Sequence, residues 1–327
     1  MIVSASRRTD IPAFYLPWML ERLRQGYALA RNPHNPRQIR RIPLNREETD
    51  CIVFWTKDGS ELLRHLDEVE GFGIPFYVQW TLTSYGPDLE PNVPDKRVLA
   101  ENFRALARRI GPRRLVWRYD PVLIYGRYTD DRHIEAFDRL CRRFSGATDT
   151  CIFSFVDLYA KTRRALPALH PVSPEEMDKL AAAFARIAGE TGIALHTCCE
   201  GDFHRFGIGP AACIDRVRME EIVGHPMKAL RDSGQRPGCG CVQSADIGAY
   251  GTCFHGCAYC YATGPALSTE HRPDSPLLTG KLGPEEMLPP ECRQMSLFAQ
   301  AGGAGTSDPG FSDKQKTHIR QNRGTDR

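Results

Sequence analysis

No apolar run in this 327-residue sequence approaches the roughly 20 residues that a membrane-spanning helix needs. A β-like segment, Ile2 to Ser6, starts almost at once and leaves no room for a secretion signal. The expectation is therefore a cytoplasmic protein with no membrane partner. No glycine-rich fingerprint follows a strand-like run, so a doubly wound dinucleotide-binding sheet has no support. Charge of one sign is scarce as well. Lys and Arg number 43 against 40 Asp and Glu, a formal +3, which is too little to favour nucleic acid as a partner. Arginine is locally dense (Arg37, Arg40, Arg41 and Arg46; Arg113, Arg114 and Arg118), and such runs usually mean a solvated face. The stretch from Gln300 to Arg327 has almost no apolar content, and the expectation there is disorder.

What is present has the balance of a soluble globular chain, 41% hydrophobic and 25% charged. Over the first 200 residues, short β-rich runs occur at Ile2–Ser6, Cys51–Trp55, Phe76–Thr83, Leu115–Tyr119, Cys151–Phe155 and Ile193–Thr197. Stretches of helical spacing lie between them, over Ala13–Gln25, Lys96–Ile110 and Glu175–Glu190. Ser173 and Glu176 form a capping box before the last of these, and Gly192 closes it. Strand–helix alternation implies a parallel sheet. Six such units predict an α/β fold, a full or partial (β/α) TIM-like barrel. The domain reading is a barrel over 1–200, a Cys-rich segment packed on it over 201–265, and an extended, largely disordered tail over 266–327. In barrels the site is built at the C-terminal ends of the strands. Each run here passes into polar residues, among them Arg7 and Asp10, Lys57, Arg118 and Asp120. These five are the candidate catalytic residues. They would bind a cofactor carboxylate or an anionic substrate, unless they only pair with one another inside the barrel.

Twelve cysteines are many for a reducing compartment, where clustering points to metal or catalysis rather than to disulfides. Cys51, Cys141, Cys151 and Cys292 are scattered and read as small core residues. The other eight fall between Cys198 and Cys260. Of these, Cys253, Cys257 and Cys260 are spaced C-x3-C-x2-C. Three thiolates on one short loop can hold three irons of a 4Fe-4S cubane. The fourth iron is then free to chelate the amino and carboxylate groups of S-adenosylmethionine. A reduced cluster can pass an electron to the sulfonium and release a 5'-deoxyadenosyl radical. Zinc is the competing reading, but it usually takes paired C-x2-C units or Cys/His pairs across a longer loop. Tyr259, just before the third cysteine, resembles the aromatic that radical S-adenosylmethionine enzymes place against the cofactor adenine.

Several segments together resemble a known family. They are Ser4-Ala-Ser-Arg-Arg-Thr-Asp10, Phe54-Trp-Thr-Lys57, Trp117-Arg-Tyr-Asp-Pro121, Gln235-Arg-Pro-Gly-Cys-Gly-Cys241, Asp246-Ile-Gly248 and Tyr259-Cys-Tyr-Ala262. They look like the bacterial domain of unknown function 1848, over nearly all of the chain up to about residue 265. The resemblance implies a C-terminal cysteine cluster similar to the N-terminal one of radical S-adenosylmethionine enzymes. The cysteine loop also looks like that of spore photoproduct lyase relatives, which keeps nucleic acid open as a substrate without favouring it.

Two departures from the radical-enzyme pattern stand out. The cysteines come last rather than first, and no Gly-Gly-Glu segment offers to bind the cofactor amine. A circularly permuted core would account for the first. The sixth strand, Ile193–Thr197, would then take the usual first position beside Ile2–Ser6. Asp10 would replace the missing segment as the amine's carboxylate partner.

Of the remaining cysteines, Cys198, Cys213, Cys239 and Cys241 suffice for a second 4Fe-4S cluster or a zinc ion. Mixed core and loop thiols are the plain alternative. The expected function is thus an iron–sulfur protein of the radical type, its electrons supplied by a flavodoxin or ferredoxin and its substrate unnamed by any motif. The alternative is a non-catalytic iron–sulfur or zinc protein in redox sensing or nucleic-acid binding.

Overall fold

The apolar runs become the strands of one sheet, because a parallel strand covered on both faces is apolar along its whole length. The computed structural model describes residues 1–236, 238–264 and 269–283. Its strands are β1 (Ile2–Ala5), β2 (Tyr27–Asn32), β3 (Asn35–Pro43), β4 (Cys51–Thr56), β5 (Phe76–Thr81), β6 (Leu115–Val122), β7 (Thr150–Phe155), β8 (Ala194–Thr197), β9 (Gly209–Pro210) and β10 (Ala245–Asp246). Its helices are α1 (Ile11–Phe14), α2 (Leu16–Gln25), α3 (Ser60–Arg64), α4 (Leu66–Gly71), α5 (Lys96–Ile110), α6 (Asp130–Phe144), α7 (Ala160–Ala165), α8 (Pro174–Thr191) and α9 (Arg216–Val223).

Eight strands form a parallel sheet in the order β10-β1-β4-β5-β6-β7-β8-β9, while β2 and β3 make a separate antiparallel hairpin. The edge strands β9 and β10 are not paired with one another. The architecture is therefore an open, partial β/α arrangement.

Side chains alternate between the two faces of each strand. One face carries Val3, Ile52, Phe54, Phe76, Val78, Trp117 and Phe153 and packs under the helices. There, Phe137 of α6 stacks on Trp117 at 5.1 Å and on Phe184 of α8 at 4.1 Å between ring centroids. The other face carries Ile2, Cys51, Val53, Tyr77, Val116 and Ile152. A closed barrel fills that side with its own strands. Here it is covered by the Cys-rich segment, through Ala211, Cys213, Ile214, Met219, Cys239, Cys241 and Val242.

The capping box of α8 is formed as its sequence predicts, and Gly192 ends the helix at φ 72°. The Ala13–Gln25 stretch splits into α1 and α2 at Tyr15. Helix α6, the hairpin and both edge strands were not expected. The permuted arrangement needs one correction. The strand beside β1 is β10, not Ile193–Thr197, whose β8 lies near the far edge. A two-residue strand has no apolar run to betray it.

Asp246 holds that edge strand in place. Its carboxylate accepts hydrogen bonds from Ser4 Oγ (2.9 Å), Ser6 Oγ (2.6 Å), the Arg7 backbone N–H (2.8 Å) and the Gly248 N–H (2.9 Å). Two residues on, a Cβ at Gly248 would lie 2.1 Å from Ser6 Oγ, so only glycine allows the chain to pass this close. The tail assignment lies mostly outside the described residues. Within them, Leu277 and Leu278 are buried, and Ser275 accepts from the Trp18 indole at 2.8 Å.

Asp246→Ala strands four donors at once. It should lower the free energy of unfolding by roughly 3 kcal/mol, read from urea denaturation. A loss within about 0.5 kcal/mol of zero would show that β10 is held by other means.

Candidate functional site

The C-terminal strand ends open into a cavity of about 760 Å³, within the range of small-molecule sites. Arg7, Asp10, Lys57, Arg118 and Asp120 all line it. So do Cys253, Cys257 and Cys260, together with Cys198, Cys199, Cys213, Cys239 and Cys241. The topology brings them together by two routes. Edge strand β10 delivers the cysteine loop beside β1, and the segment covering the sheet's second face delivers the others.

The loop is anchored along its length. Gly251 N–H donates to Ala262 O at 3.0 Å and closes it. Ala258 N–H donates to Leu89 O (2.9 Å), Asn92 N–H to His255 O (3.2 Å) and Asn92 Nδ2 to Phe254 O (2.8 Å). Gly256 sits at φ 67°, in the region that favours glycine. The Ala262 N–H points at Cys260 Sγ, 3.3 Å away. Burial pushes the Cys253 thiol up to about 12 and the Cys257 thiol up to about 11, the latter against the pull of Lys57.

Beneath the loop lies Glu90, 1% exposed. It pairs with Lys57 Nζ at 2.7 Å and with Lys96, accepts from Thr83 Oγ1 at 2.9 Å, and meets the Tyr259 hydroxyl. Burial acts to raise its pKa, but Lys57 and Lys96 prevail and hold it at about 2. Burial and Glu90 likewise raise Tyr259 well above its ordinary value.

Asp10 lies beside the loop, yet both its oxygens are engaged. Oδ1 caps α1 through Ala13 N–H (3.0 Å). Oδ2 accepts from Lys57 N–H (2.7 Å) and pairs with His255 Nε2 (2.8 Å). Arg118 pairs with Asp120, whose other oxygen takes the Ser154 hydroxyl. Lys57, Arg118 and Asp120 thus carry internal ion pairs, and Asp10 internal hydrogen bonds, as well as facing the cavity.

Arg7 differs. Its guanidinium lies over Trp55 at 5.5 Å, and Arg118 lies over the same ring at 5.4 Å. Arg7 Nη2 and Trp55 Nε1 are both buried with no hydrogen-bond partner. Two orphan donors in the wall of one cavity are suited to an acceptor on a ligand. Trp55 was overlooked as a site residue although it stands in the Phe54-Trp-Thr-Lys57 string. Glu90 had no signal in the sequence at all.

The second group of thiols is also contiguous. Cys198 Sγ is 3.5 Å from Cys213 Sγ, Cys241 adjoins Cys213, and Cys199 adjoins Cys239. Arg118 Nη1 donates to Cys213 Sγ at 3.0 Å. Contact with Cys198 and Cys241, aided by Arg118, holds the Cys213 thiol well below its ordinary value and raises its two neighbours. Cys51, Cys141 and Cys151 are buried and unpaired, while Cys292 lies outside the described residues.

Among the described residues, no three His, Cys, Asp or Glu side chains are already drawn around one point as a metal site. The chemistry of the donors nonetheless fits a soft metal. Three thiols on an anchored loop face open volume, with cationic side chains opposite to balance anionic sulfur. No helix among the described residues is long and apolar enough to cross a membrane.

A family model described as Domain of unknown function (DUF1848) matches residues 2–262. The chain belongs to that family. The match runs from the first residue of β1 to the alanine whose N–H meets Cys260. No curated protein matches the chain.

Glu90→Gln leaves two buried lysines without a counter-charge. It should lower stability at pH 7 by about 3–5 kcal/mol. A carboxylate depressed from 4.5 to about 2 contributes stability that is fully present above 4.5 and lost as pH falls through 2. The gap between variant and parent should therefore close between those values, as read from urea unfolding across pH. A gap independent of pH would exclude the ion pairs as its cause.

Proposed function

We propose that this member of the DUF1848 family is an iron–sulfur enzyme of the radical S-adenosylmethionine type, its 4Fe-4S cluster held by Cys253, Cys257 and Cys260. The observation that carries the reading is convergence. A C-x3-C-x2-C loop and two unpartnered buried donors, Arg7 Nη2 and Trp55 Nε1, line a single cavity large enough for a small molecule. Such a cluster, when bound and reduced, supplies one electron that splits S-adenosylmethionine into methionine and a 5'-deoxyadenosyl radical able to take hydrogen from a substrate.

The chain's own residues then have distinct roles. Arg7 and Trp55 donate to the carboxylate of the cofactor or of an anionic substrate. Lys57, held by Glu90, presents positive charge to the cysteine loop. Asp10 fixes the loop through His255 on Oδ2, while Oδ1, which accepts only from Ala13 N–H, keeps a lone pair for the amine of the cofactor. Tyr259 is tied to Glu90 by its hydroxyl and so braces the cavity wall. A flavodoxin or ferredoxin in the cytoplasm is the matching electron donor.

The test is anaerobic reconstitution with iron and sulfide, followed by dithionite and S-adenosylmethionine. The expected result is 5'-deoxyadenosine, falling at least about 100-fold in Cys257→Ala. Arg7→Ala should raise the concentration of S-adenosylmethionine or substrate needed for half-maximal rate about tenfold, equivalent to one lost charged hydrogen bond. A fully loaded cluster that yields no 5'-deoxyadenosine overturns the enzymatic reading and leaves a non-catalytic cluster protein.

A further inference from the structure

We infer that Cys198, Cys213, Cys239 and Cys241 ligate a second metal centre in the same cavity, a 4Fe-4S cubane or a zinc ion, independent of the cysteine loop. This goes beyond the proposed function and would stand if that function fell.

Three separate chain segments supply the thiols. Cys198 follows β8, Cys213 follows β9, and Cys239 and Cys241 lie in the loop before β10. Ordinary core cysteines in this protein behave otherwise, since Cys51, Cys141 and Cys151 each sit singly within a strand or helix. Here Cys213, Cys239 and Cys241 are 3–5% exposed and line the same cavity as Cys198, whose Sγ is 3.5 Å from Cys213 Sγ.

The backbone around them is fixed by groups from the sheet. Cys213 O accepts from Tyr77 Oη at 2.6 Å and from Gln79 Nε2 at 2.8 Å. Cys239 O accepts from Arg231 Nε at 3.1 Å. A Cβ at Gly240 would come within 3.3 Å of Ala211 O, so the 239–241 loop is closed tightly against the strand-β9 segment. Two buried side chains of β5 thus fix the Cys213 carbonyl, and Tyr77 Oη also accepts from the Asp215 N–H at 3.2 Å.

The sulfurs also receive N–H donors. Arg118 is 6% exposed, and its Nη1 points at Cys213 Sγ from 3.0 Å. The Ile214 N–H points at Cys241 Sγ from 3.3 Å. Hydrogen bonds to sulfur stabilise metal-bound thiolates, whereas a buried guanidinium gains little from a neutral thiol. Loading requires the thiols to deprotonate, so metal binding releases protons. Cys199, the fifth thiol of the group, adjoins Cys239, and a set of four ligands leaves it over.

Metal analysis of the full chain, purified without oxygen, tests this. Iron, sulfide and zinc are counted per chain in the parent, in a Cys253→Ala/Cys257→Ala/Cys260→Ala variant, and in a Cys213→Ser/Cys241→Ser variant. The loop variant should keep about four irons with matching sulfide, or about one zinc, and the two results identify the metal. The second variant should lose that complement and keep the loop's. Cys199→Ala should retain both. The loop variant decides the matter even where the other does not fold: a folded loop variant with neither iron nor zinc overturns the second centre. So does a parent in which Cys198 and Cys213 are recovered as a disulfide. A Cys213→Ser/Cys241→Ser variant with the parent's metal content overturns it too, while leaving the loop cluster intact. A loop variant with the parent's metal content fails the proposed function and not this inference.

Discussion

The carboxylate of Asp246 is the tie on which the arrangement of the site depends. A strand of two residues has almost no pairing energy of its own. The backbone bond from Ile247 N–H to Ser4 O is reinforced by one side chain that gathers donors from Ser4, Ser6 and Arg7 across the seam and from Gly248 on its own segment. Because β10 is seated there, the cysteine loop that follows it lands beside the end of β1, and Arg7 and Asp10 reach the same cavity as Cys253. The closeness of Gly248 to Ser6 belongs to the same tie, since a side chain at 248 would lift the loop off the sheet.

A second constraint comes from the open sheet. Its inner face cannot be left apolar and wet, and in the absence of closure a separate segment has to cover it. Residues 211–242 do so, and they bring cysteines with them. The cysteines are therefore part of a packing solution as well as a chemical one. This explains why Cys213, Cys239 and Cys241 are nearly inaccessible while still bordering the cavity.

Much of the central sheet could be read directly, because buried parallel strands are apolar runs and α8 is bounded by a capping box and a left-handed glycine. The edges could not. Strands β9 and β10 have no run of any kind, and β10 is placed by side-chain hydrogen bonds between residues some 240 apart in sequence. That is also why the expected neighbour of β1 was the wrong one. Among site residues, the sequence points to charged groups at strand ends but not to their partners. Glu90, in the connection between β5 and α5, converts Lys57 from a free cation into half of a buried network. Asp10 is similarly taken up by the cap of α1 and by His255.

The balance of charge in the cavity leads to a last step. Protein interiors tolerate cations when anions answer them, and two here are answered: Lys57 by Glu90 and Arg118 by Asp120. Arg118 nevertheless extends a second arm to Cys213, and Arg7, which lies over the same Trp55 ring, has a donor left over. Both arginines have more donors in this wall than the protein's own carboxylates use. On the proposed reading, anionic sulfur and the carboxylate of a ligand supply the missing acceptors. The Arg7–Trp55–Arg118 stack is then a feature of ligand and metal binding rather than of folding. On that reading, sharing one aromatic ring leaves each planar guanidinium fork free for acceptors in its own plane, Asp120 and Cys213 for Arg118 and a ligand for Arg7.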